Sequence, residues 1–111
     1  KAGNLVFISG KLGIYPTTLK LSNITFEAEV AQTMENLKQE LKIHGLELDD
    51  LVSVIIYLKD IKRYDVVNSI YKRYFNKKYP TRTCIAVADL PANASVEISG
   101  IAHIKNSNEP K

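Results

Sequence analysis

Hydrophobic and polar positions follow one another along the chain in patterns that predict strands and helices in turn. Short apolar runs at Leu5–Ser9, Leu51–Leu58, Thr81–Ala88 and Ser95–Ile104 have the length and β-branched content of strands. A short alternating run at Leu19–Leu21 follows a turn signal and predicts a further strand. The run at Leu51–Leu58 is apolar at almost every position, which is typical of a strand that is buried on both faces.

Two other segments carry apolar residues at helical spacing. The first extends from about Thr25 to His44, with Gly45 as the expected C-terminal cap. Its stripe consists of Phe26, Val30, Met34, Leu37 and Leu41. The second stripe consists of Tyr64, Val67, Ile70 or Tyr71, and Tyr74, and ends at Asn76–Pro80. This order of elements predicts an α/β fold of the α+β two-layer sandwich type, a mixed sheet with both helices on one face.

Composition limits the chain to one domain. The sequence has 111 residues, of which 45% are hydrophobic, and we expect a single domain over residues 1–111 with a frayed tail at 105–111. The single cysteine excludes an internal disulfide and favours a reducing compartment, so we expect a cytoplasmic protein and leave the mitochondrion open. No run approaches the roughly 20 apolar residues of a membrane span, which predicts no membrane association.

The last two predicted strands contain a cation, a thiol and a carboxylate that could bind or react with a ligand. These residues are Arg82, Cys84 and Glu97. Alternate residues of a strand point to opposite faces of its sheet. The alternate set that we expect to face the helices comprises Thr83, Ile85 and Val87. Arg82, Cys84 and Glu97 are therefore predicted to share the face away from the helices, although parity does not give their register across the sheet.

That uncovered face is also predicted to be apolar. Four large side chains are expected on it, namely Leu51, Ile55, Tyr57 and Ile101. Two short helices cannot cover both sides of a sheet, and an exposed apolar sheet face marks an interface. The sequence therefore predicts a homo-oligomer, with Arg82 and Glu97 near the contact between subunits.

Five segments of the chain form a specific set of motifs when they are taken together. They are Lys1–Gly10 (KAGNLVFISG), Met34–Leu37 (MENL), Val67–Tyr71 (VNSIY), Pro80–Cys84 (PTRTC), and Leu90–Pro91 followed by Val96–Ile98 (VEI). With these segments the chain resembles the reactive-intermediate deaminase family (RidA, YjgF-type), also called endoribonuclease L-PSP, over nearly its whole length. The resemblance implies a chorismate-mutase-like fold, a homotrimer and clefts between subunits. It also implies hydrolysis of enamines and imines such as 2-aminoacrylate and 2-iminobutanoate to 2-keto acids and ammonia.

The resemblance also implies roles for individual residues. Arg82 is expected to bind the substrate carboxylate with its bidentate guanidinium, and Glu97 to orient or activate the attacking water and to carry a proton. Cys84, Ser9 and Gly10 are expected to line the cleft and bind the ligand. The partner is thus a small carboxylate-bearing substrate, and neither a cofactor nor a metal is expected, because an imine carbon is already electrophilic.

Three departures from the family pattern bear on activity. Lys11 stands where many members carry Gln, which would change the charge at the cleft mouth, and Ser99 and Gly100 replace a Glu-Ala pair. The family's N-terminal Pro-Tyr-Ser segment precedes residue 1. A non-catalytic binding module is therefore an alternative to the deaminase.

The residue types alone also permit plainer roles for the same side chains. Arg82 and Glu97 would suit a structural ion pair, and Cys84 would suit a small packing residue better than a nucleophile. The net charge of +3 and the pI near 9.0 leave RNA as a second partner, through ribonuclease activity or translation inhibition. A solvated helix face, with the neighbouring tyrosines packed, explains the basic residues around Lys72 and Arg73 better than nucleic-acid binding does.

Overall fold

The computed structural model describes residues 2–75 and 79–104. Its main elements are β1 (Leu5–Lys11), α1 (Phe26–Ile43), β2 (Leu51–Leu58), α2 (Tyr64–Tyr71), β3 (Thr81–Ala86) and β4 (Val96–His103). These elements confirm the predicted order. The prediction of a short strand at 19–21 was wrong, because Leu21 forms only an isolated bridge with Ile14. The predicted tail at 105–111 and residues 76–78 at the end of the second stripe lie outside the described residues.

The four strands form one mixed sheet in the order β1-β4-β2-β3. β2 and β3 are parallel, whereas β4 is antiparallel to both β1 and β2. The helices pack on one face of this sheet and enclose the hydrophobic core. The predicted α+β sandwich is therefore confirmed, with β1 and β3 as the two edge strands. No helix in the described ranges is long and apolar enough to cross a membrane.

Both ends of α1 are fixed by local sequence signals. The Thr25 hydroxyl accepts a hydrogen bond from the Ala28 N–H at 3.0 Å, which caps the N-terminus. At the other end Gly45 adopts φ 72°, a conformation that glycine reaches without a Cβ clash. The Gly45 N–H donates to the Lys42 carbonyl at 3.0 Å, and the Leu46 N–H donates to the Leu41 carbonyl at 2.9 Å. This Schellman pattern satisfies carbonyls that the helix leaves free.

The parity prediction for β3 was wrong. Its parallel register pairs Arg82 with Val54 and Cys84 with Ile56. Val54 and Ile56 are buried under the helices, so Arg82 and Cys84 lie on the helix-covered face. Ile85, which the pattern assigned to the core, is instead 42% exposed. The error has a physical cause: β3 is an edge strand, and its β-branched residues belong to the uncovered face.

The uncovered face is apolar, as the sequence predicts. Phe7 pairs with Ile101 across β1 and β4, and Tyr57 pairs with both Ile85 and Glu97. Phe7 is 57% exposed, a high value for so large an apolar side chain. Leu51 was wrongly assigned to this face. A register shift between Leu51 and Ser53 turns Leu51 toward the core, where it is 5% exposed.

Candidate functional site

Arg82 is held by side chains of α2. Its Nη1 donates a hydrogen bond to Oδ1 of Asn68, and its Nη2 donates to the Tyr64 hydroxyl at 2.8 Å. The guanidinium carbon also lies 5.3 Å from the Tyr64 ring centre and 5.1 Å from that of Tyr71. Both distances suit cation–π contact. Arg82 is thus oriented before any ligand arrives, with guanidinium N–H groups in excess of these two bonds.

A cavity of about 540 Å³ opens beside Arg82 and is lined also by Tyr71, Lys72, Tyr79 and Pro80. Tyr71 is almost fully buried, and burial raises the pKa of its hydroxyl to about 12, against an opposing effect of the Arg82 charge. The ring therefore meets Arg82 in its neutral form. Within the described part of the chain, the Tyr71 hydroxyl has no hydrogen-bond partner.

Cys84 lies two residues beyond Arg82 on the same face of β3. Its side chain is half-buried and packs against the hydrophobic core. Burial raises the pKa of the Cys84 thiol, although the Arg82 charge acts in the opposite direction. A raised pKa keeps the sulfur protonated and weakly nucleophilic. These properties favour a packing role for Cys84 over a nucleophilic one.

Glu97 lies on the uncovered face of the sheet and packs over Gly10. The pairing of β1 with β4 is irregular between Ile8 and Lys11, so Ser9 and Gly10 lie at a bulge on the edge strand. A Cβ added at Gly10 would overlap Oε2 of Glu97 and lie 2.5 Å from its Cδ. The absence of a side chain at Gly10 is what gives the Glu97 carboxylate its place.

A Gly10→Ala substitution is expected to displace the Glu97 carboxylate while leaving the fold intact. The clash involves the flexible end of a side chain, so the carboxylate moves rather than the strand. If Glu97 acts on the substrate, activity falls by up to about 10²-fold, because such reactions are sensitive to misplacement of about 1 Å. Steady-state kinetics and thermal unfolding would measure the two effects. Ser99→Ala, on the same face of β4, is the control, and a folded Gly10→Ala variant that keeps the full wild-type activity would contradict the expectation.

The predicted site residues thus form two groups in one chain. Arg82 and Cys84 share the helix-covered face at the β3 edge, whereas Glu97, Ser9 and Gly10 lie together on or beside β1 and β4. β2 separates β3 from β4, and the two groups face opposite sides of the sheet. Arg82 and Glu97 therefore cannot form an ion pair within a chain, and the predicted shared face was wrong.

Lys11 does not lie beside Glu97. It pairs with Ile98, whose side chain belongs to the core face, and its Nζ is 2.9 Å from Oε1 of Glu40 on α1. The Lys11 hydrogen bond and charge lower the pKa of the Glu40 carboxyl. The extra cation at position 11 is thus directed toward a carboxylate of α1. The expectation that Lys11 changes the charge at the cleft mouth stays a prediction.

Sequence reasoning missed the residues that hold Arg82. Tyr64 and Tyr71 were assigned to the packing stripe of the second helix, and Asn68 was noted only as part of the VNSIY motif. Their spacing of four and three residues puts all three on one side of α2, which the structure turns toward β3. The spacing was available in the sequence, but the strand that faces this side of α2 was not.

The described residues contain no group of three or more His, Cys, Asp and Glu side chains placed to hold a metal ion.

The chain is similar in sequence to known proteins over most of its length. Residues 1–104 match the family model described as Endoribonuclease L-PSP. Reactive Intermediate Deaminase A, chloroplastic, of Arabidopsis thaliana is 40% identical over 92% of this chain and 54% of its own length. The 2-iminobutanoate/2-iminopropanoate deaminase of Dermatophagoides farinae is 30% identical over 95% of this chain and 82% of its own length.

Solved structures of the same class have the same fold. The crystal structure of E. coli TdcF with bound serine superposes with a TM-score of 0.89 and 29% identity, covering 95% of this chain and 84% of that one. The mixed sheet, the two helices and the motifs of this chain are together those of the RidA, YjgF-type class of α+β proteins. The chain belongs to the endoribonuclease L-PSP family, as its motifs predict.

Proposed function

We propose that the protein hydrolyses reactive enamine and imine intermediates, such as 2-aminoacrylate and 2-iminobutanoate, to 2-keto acids and ammonia. We further propose that it does so in clefts between the subunits of a homotrimer. The observation that carries the proposal is Arg82, whose guanidinium is held by Asn68 and Tyr64 beside an open cavity. The name of the 2-iminobutanoate/2-iminopropanoate deaminase and the serine bound to TdcF support a ligand that carries a carboxylate.

Arg82 would bind the carboxylate of the substrate. Guanidinium geometry matches a carboxylate through two parallel N–H bonds, and the contacts with α2 reduce the entropy lost when those bonds form. The contact between the Arg82 charge and the rings of Tyr64 and Tyr71 further restricts its orientation. The same contacts would place the adjacent imine carbon at a fixed position.

Glu97 would serve as the general base and acid. Water attacks the carbon of the protonated imine while Glu97 accepts a proton from that water, which gives a neutral carbinolamine. Glu97 then returns this proton to the nitrogen, the carbon–nitrogen bond breaks as ammonia leaves, and Glu97 accepts the hydroxyl proton as the keto group forms. An enamine first gains a proton on its terminal carbon, which gives the same protonated imine. The reaction consumes one water and needs no oxidant or reductant.

The assembly is part of the proposal because one chain does not bring the two groups together. Arg82 and Glu97 lie on opposite faces and are separated by β2. The uncovered apolar face, with Phe7 at 57% and Ile85 at 42% exposure, would be buried between copies. Such contacts would place Arg82 of one subunit near Glu97 of the next, so that every cleft is completed by two chains.

A coupled assay tests the function directly. A threonine or serine dehydratase would generate the imine, and 2-keto acid appearance would be followed with and without this protein. We expect acceleration by the wild type and its loss in Glu97→Ala, because the proton transfer then has no acceptor. Glu27→Ala, an exposed carboxylate in the first turn of α1, is the matched control. No acceleration by folded wild type would refute the proposed activity.

The same purified protein would test two alternatives to imine hydrolysis. The description of the family model keeps endoribonuclease activity as a second candidate, and RNA cleavage that falls with rising salt would favour it. The groove with Lys38, Lys42 and Arg73 also contains Glu47 and Asp49, which weakens phosphate attraction there. Carboxylate binding at Arg82 without turnover would instead favour a non-catalytic member of the family.

A further inference from the structure

We propose that Glu29, a buried carboxylate on α1, is a positioning residue for Glu97. This inference rests on the proposed function, because it assigns Glu29 an effect on the group that would transfer the proton. Glu29 is 2% exposed and lies in the first turn of α1, far from Glu97 in the sequence. A charged side chain is buried at such a place only when its surroundings satisfy it.

Glu29 is satisfied by the main chain at the start of β4. Its Oε2 accepts hydrogen bonds from the Ser95 N–H at 2.6 Å and from the Val96 N–H at 3.2 Å. Bonds from N–H groups to an ionised carboxylate are shorter and stronger than neutral ones. These two bonds join α1 to the two residues that directly precede Glu97.

The chain needs such a tie because the preceding turn is strained. Ala92 has φ 55° and Asn93 has φ 57°, so two successive residues other than glycine are left-handed. A residue with a Cβ is disfavoured in this conformation, alanine more than asparagine, and it persists where the surroundings fix it. The Lys59 N–H donates to the Ser95 carbonyl at 3.2 Å and fixes the same point from β2. Ser95 is thus bound through both its N–H and its carbonyl.

The constraint passes to Glu97 through one residue of extended backbone. Val96 pairs with Leu58 and Glu97 with Tyr57, so the direction in which β4 starts decides where the Glu97 carboxylate meets Gly10. Arg82 lies on β3 at the other side of β2 and has no part in this tie. Losing the tie should therefore affect the proton-transfer step and leave carboxylate binding in place.

Glu29→Ala and Glu29→Gln test the inference together. Glu29→Ala removes the acceptor and is expected to lower kcat by about tenfold or more, with KM changed by less than about twofold. Glu29→Gln keeps an oxygen that can accept both bonds and is expected to restore kcat to within about threefold of the wild type. A general loss of folded protein would lower the apparent kcat and leave KM unchanged, so kcat is expressed per folded chain, with the folded fraction measured by thermal unfolding.

Thr33→Val is the matched control. The Thr33 hydroxyl is fully buried on the same helix and donates to the Glu29 carbonyl at 2.7 Å, so its hydrogen bond stays within α1. We expect Thr33→Val to lower thermal stability and leave kcat unchanged. Equal losses of kcat in Thr33→Val and Glu29→Ala, or unchanged kcat in a folded Glu29→Ala, would overturn the inference.

A second readout separates this inference from the proposed function. The carboxyl ¹³C NMR signal of Glu97 should shift in Glu29→Ala and stay in place in Glu29→Gln and Thr33→Val, since it reports the surroundings of that carboxyl. If the wild type hydrolyses no imine, the proposed function fails and the NMR comparison still decides whether Glu29 positions Glu97. A Glu97 signal that is the same in all four proteins would refute the positioning role.

Discussion

Arg82→Ala is expected to lower kcat/KM for imine hydrolysis by about 10²–10³-fold. The substitution removes about two charge-assisted hydrogen bonds to the substrate carboxylate, each contributing ~1.5–2 kcal/mol. A total of about 3–4 kcal/mol corresponds to a loss of about 10²–10³-fold in kcat/KM, because each 1.36 kcal/mol changes the rate tenfold. The coupled dehydratase assay would measure it, with 2-aminoacrylate as the substrate. Unchanged clearance in Arg82→Ala would eliminate Arg82 as the carboxylate-binding residue.

Two further variants separate binding from folding. Arg82→Lys keeps the charge but loses the planar fork and the ring contacts, so we expect it to recover only part of the activity. Tyr64→Phe keeps the ring beneath Arg82 and removes the hydroxyl that accepts from Nη2 at 2.8 Å. Its loss should be smaller than that of Arg82→Ala, within about tenfold, since one neutral acceptor is removed. The subunit assembly, measured by light scattering, should survive in all three.

Mixing two inactive variants is expected to restore activity. When Arg82→Ala and Glu97→Ala chains are unfolded together and refolded into the proposed trimer, some of the proposed clefts should combine the intact Arg82 of one chain with the intact Glu97 of another. When equal amounts of the two variants assemble at random, about one quarter of the clefts contain both intact residues. Each cleft in a ring takes Arg82 from one subunit and Glu97 from its neighbour. We expect about one quarter of wild-type activity from the mixture, and almost none from either variant refolded alone.

The result of mixing depends directly on the geometry of a single chain. Arg82 and Glu97 lie on opposite faces of the sheet, separated by β2. If both residues of a working site came from one chain, no mixture of these variants would regain activity. A mixture that stays inactive although mass spectrometry shows mixed trimers would therefore refute the shared cleft. Refolded wild type is the control for losses during refolding.

The elements and the ends of α1 could be read from local sequence. Four residues of the first stripe are fully buried, because residues three and four apart share one side of a helix, and Phe26 at its start is partly buried. The four are Val30, Met34, Leu37 and Leu41. Gly45 ends the helix as predicted because it lacks a Cβ. The prediction of a strand at Leu19–Leu21 was wrong, because three alternating residues do not show whether another strand is available to pair with them.

The sequence predicted the residues of the candidate site, but the arrangement that it predicted, with Arg82 and Glu97 on one face, was wrong. The functional roles of these residues stay predictions, whereas the structure places Arg82 against α2 and Glu97 against Gly10. Glu29 lies in the first turn of α1, where the helix dipole alone would favour a carboxylate. Its bonds to Ser95 and Val96 join positions that are 66 and 67 residues apart, which no local pattern reveals.

The sequence by itself determined which segments become helices and strands, where α1 begins and ends, and which family the motifs resemble. Those properties depend on periods of two and about 3.6 residues and on side chains a few positions apart. Only the tertiary structure decided which face of β3 carries Arg82. An edge strand exposes apolar residues on its uncovered side, so the same alternation fits either orientation until the register with β2 is known. That register placed Arg82 and Glu97 on opposite faces of the sheet.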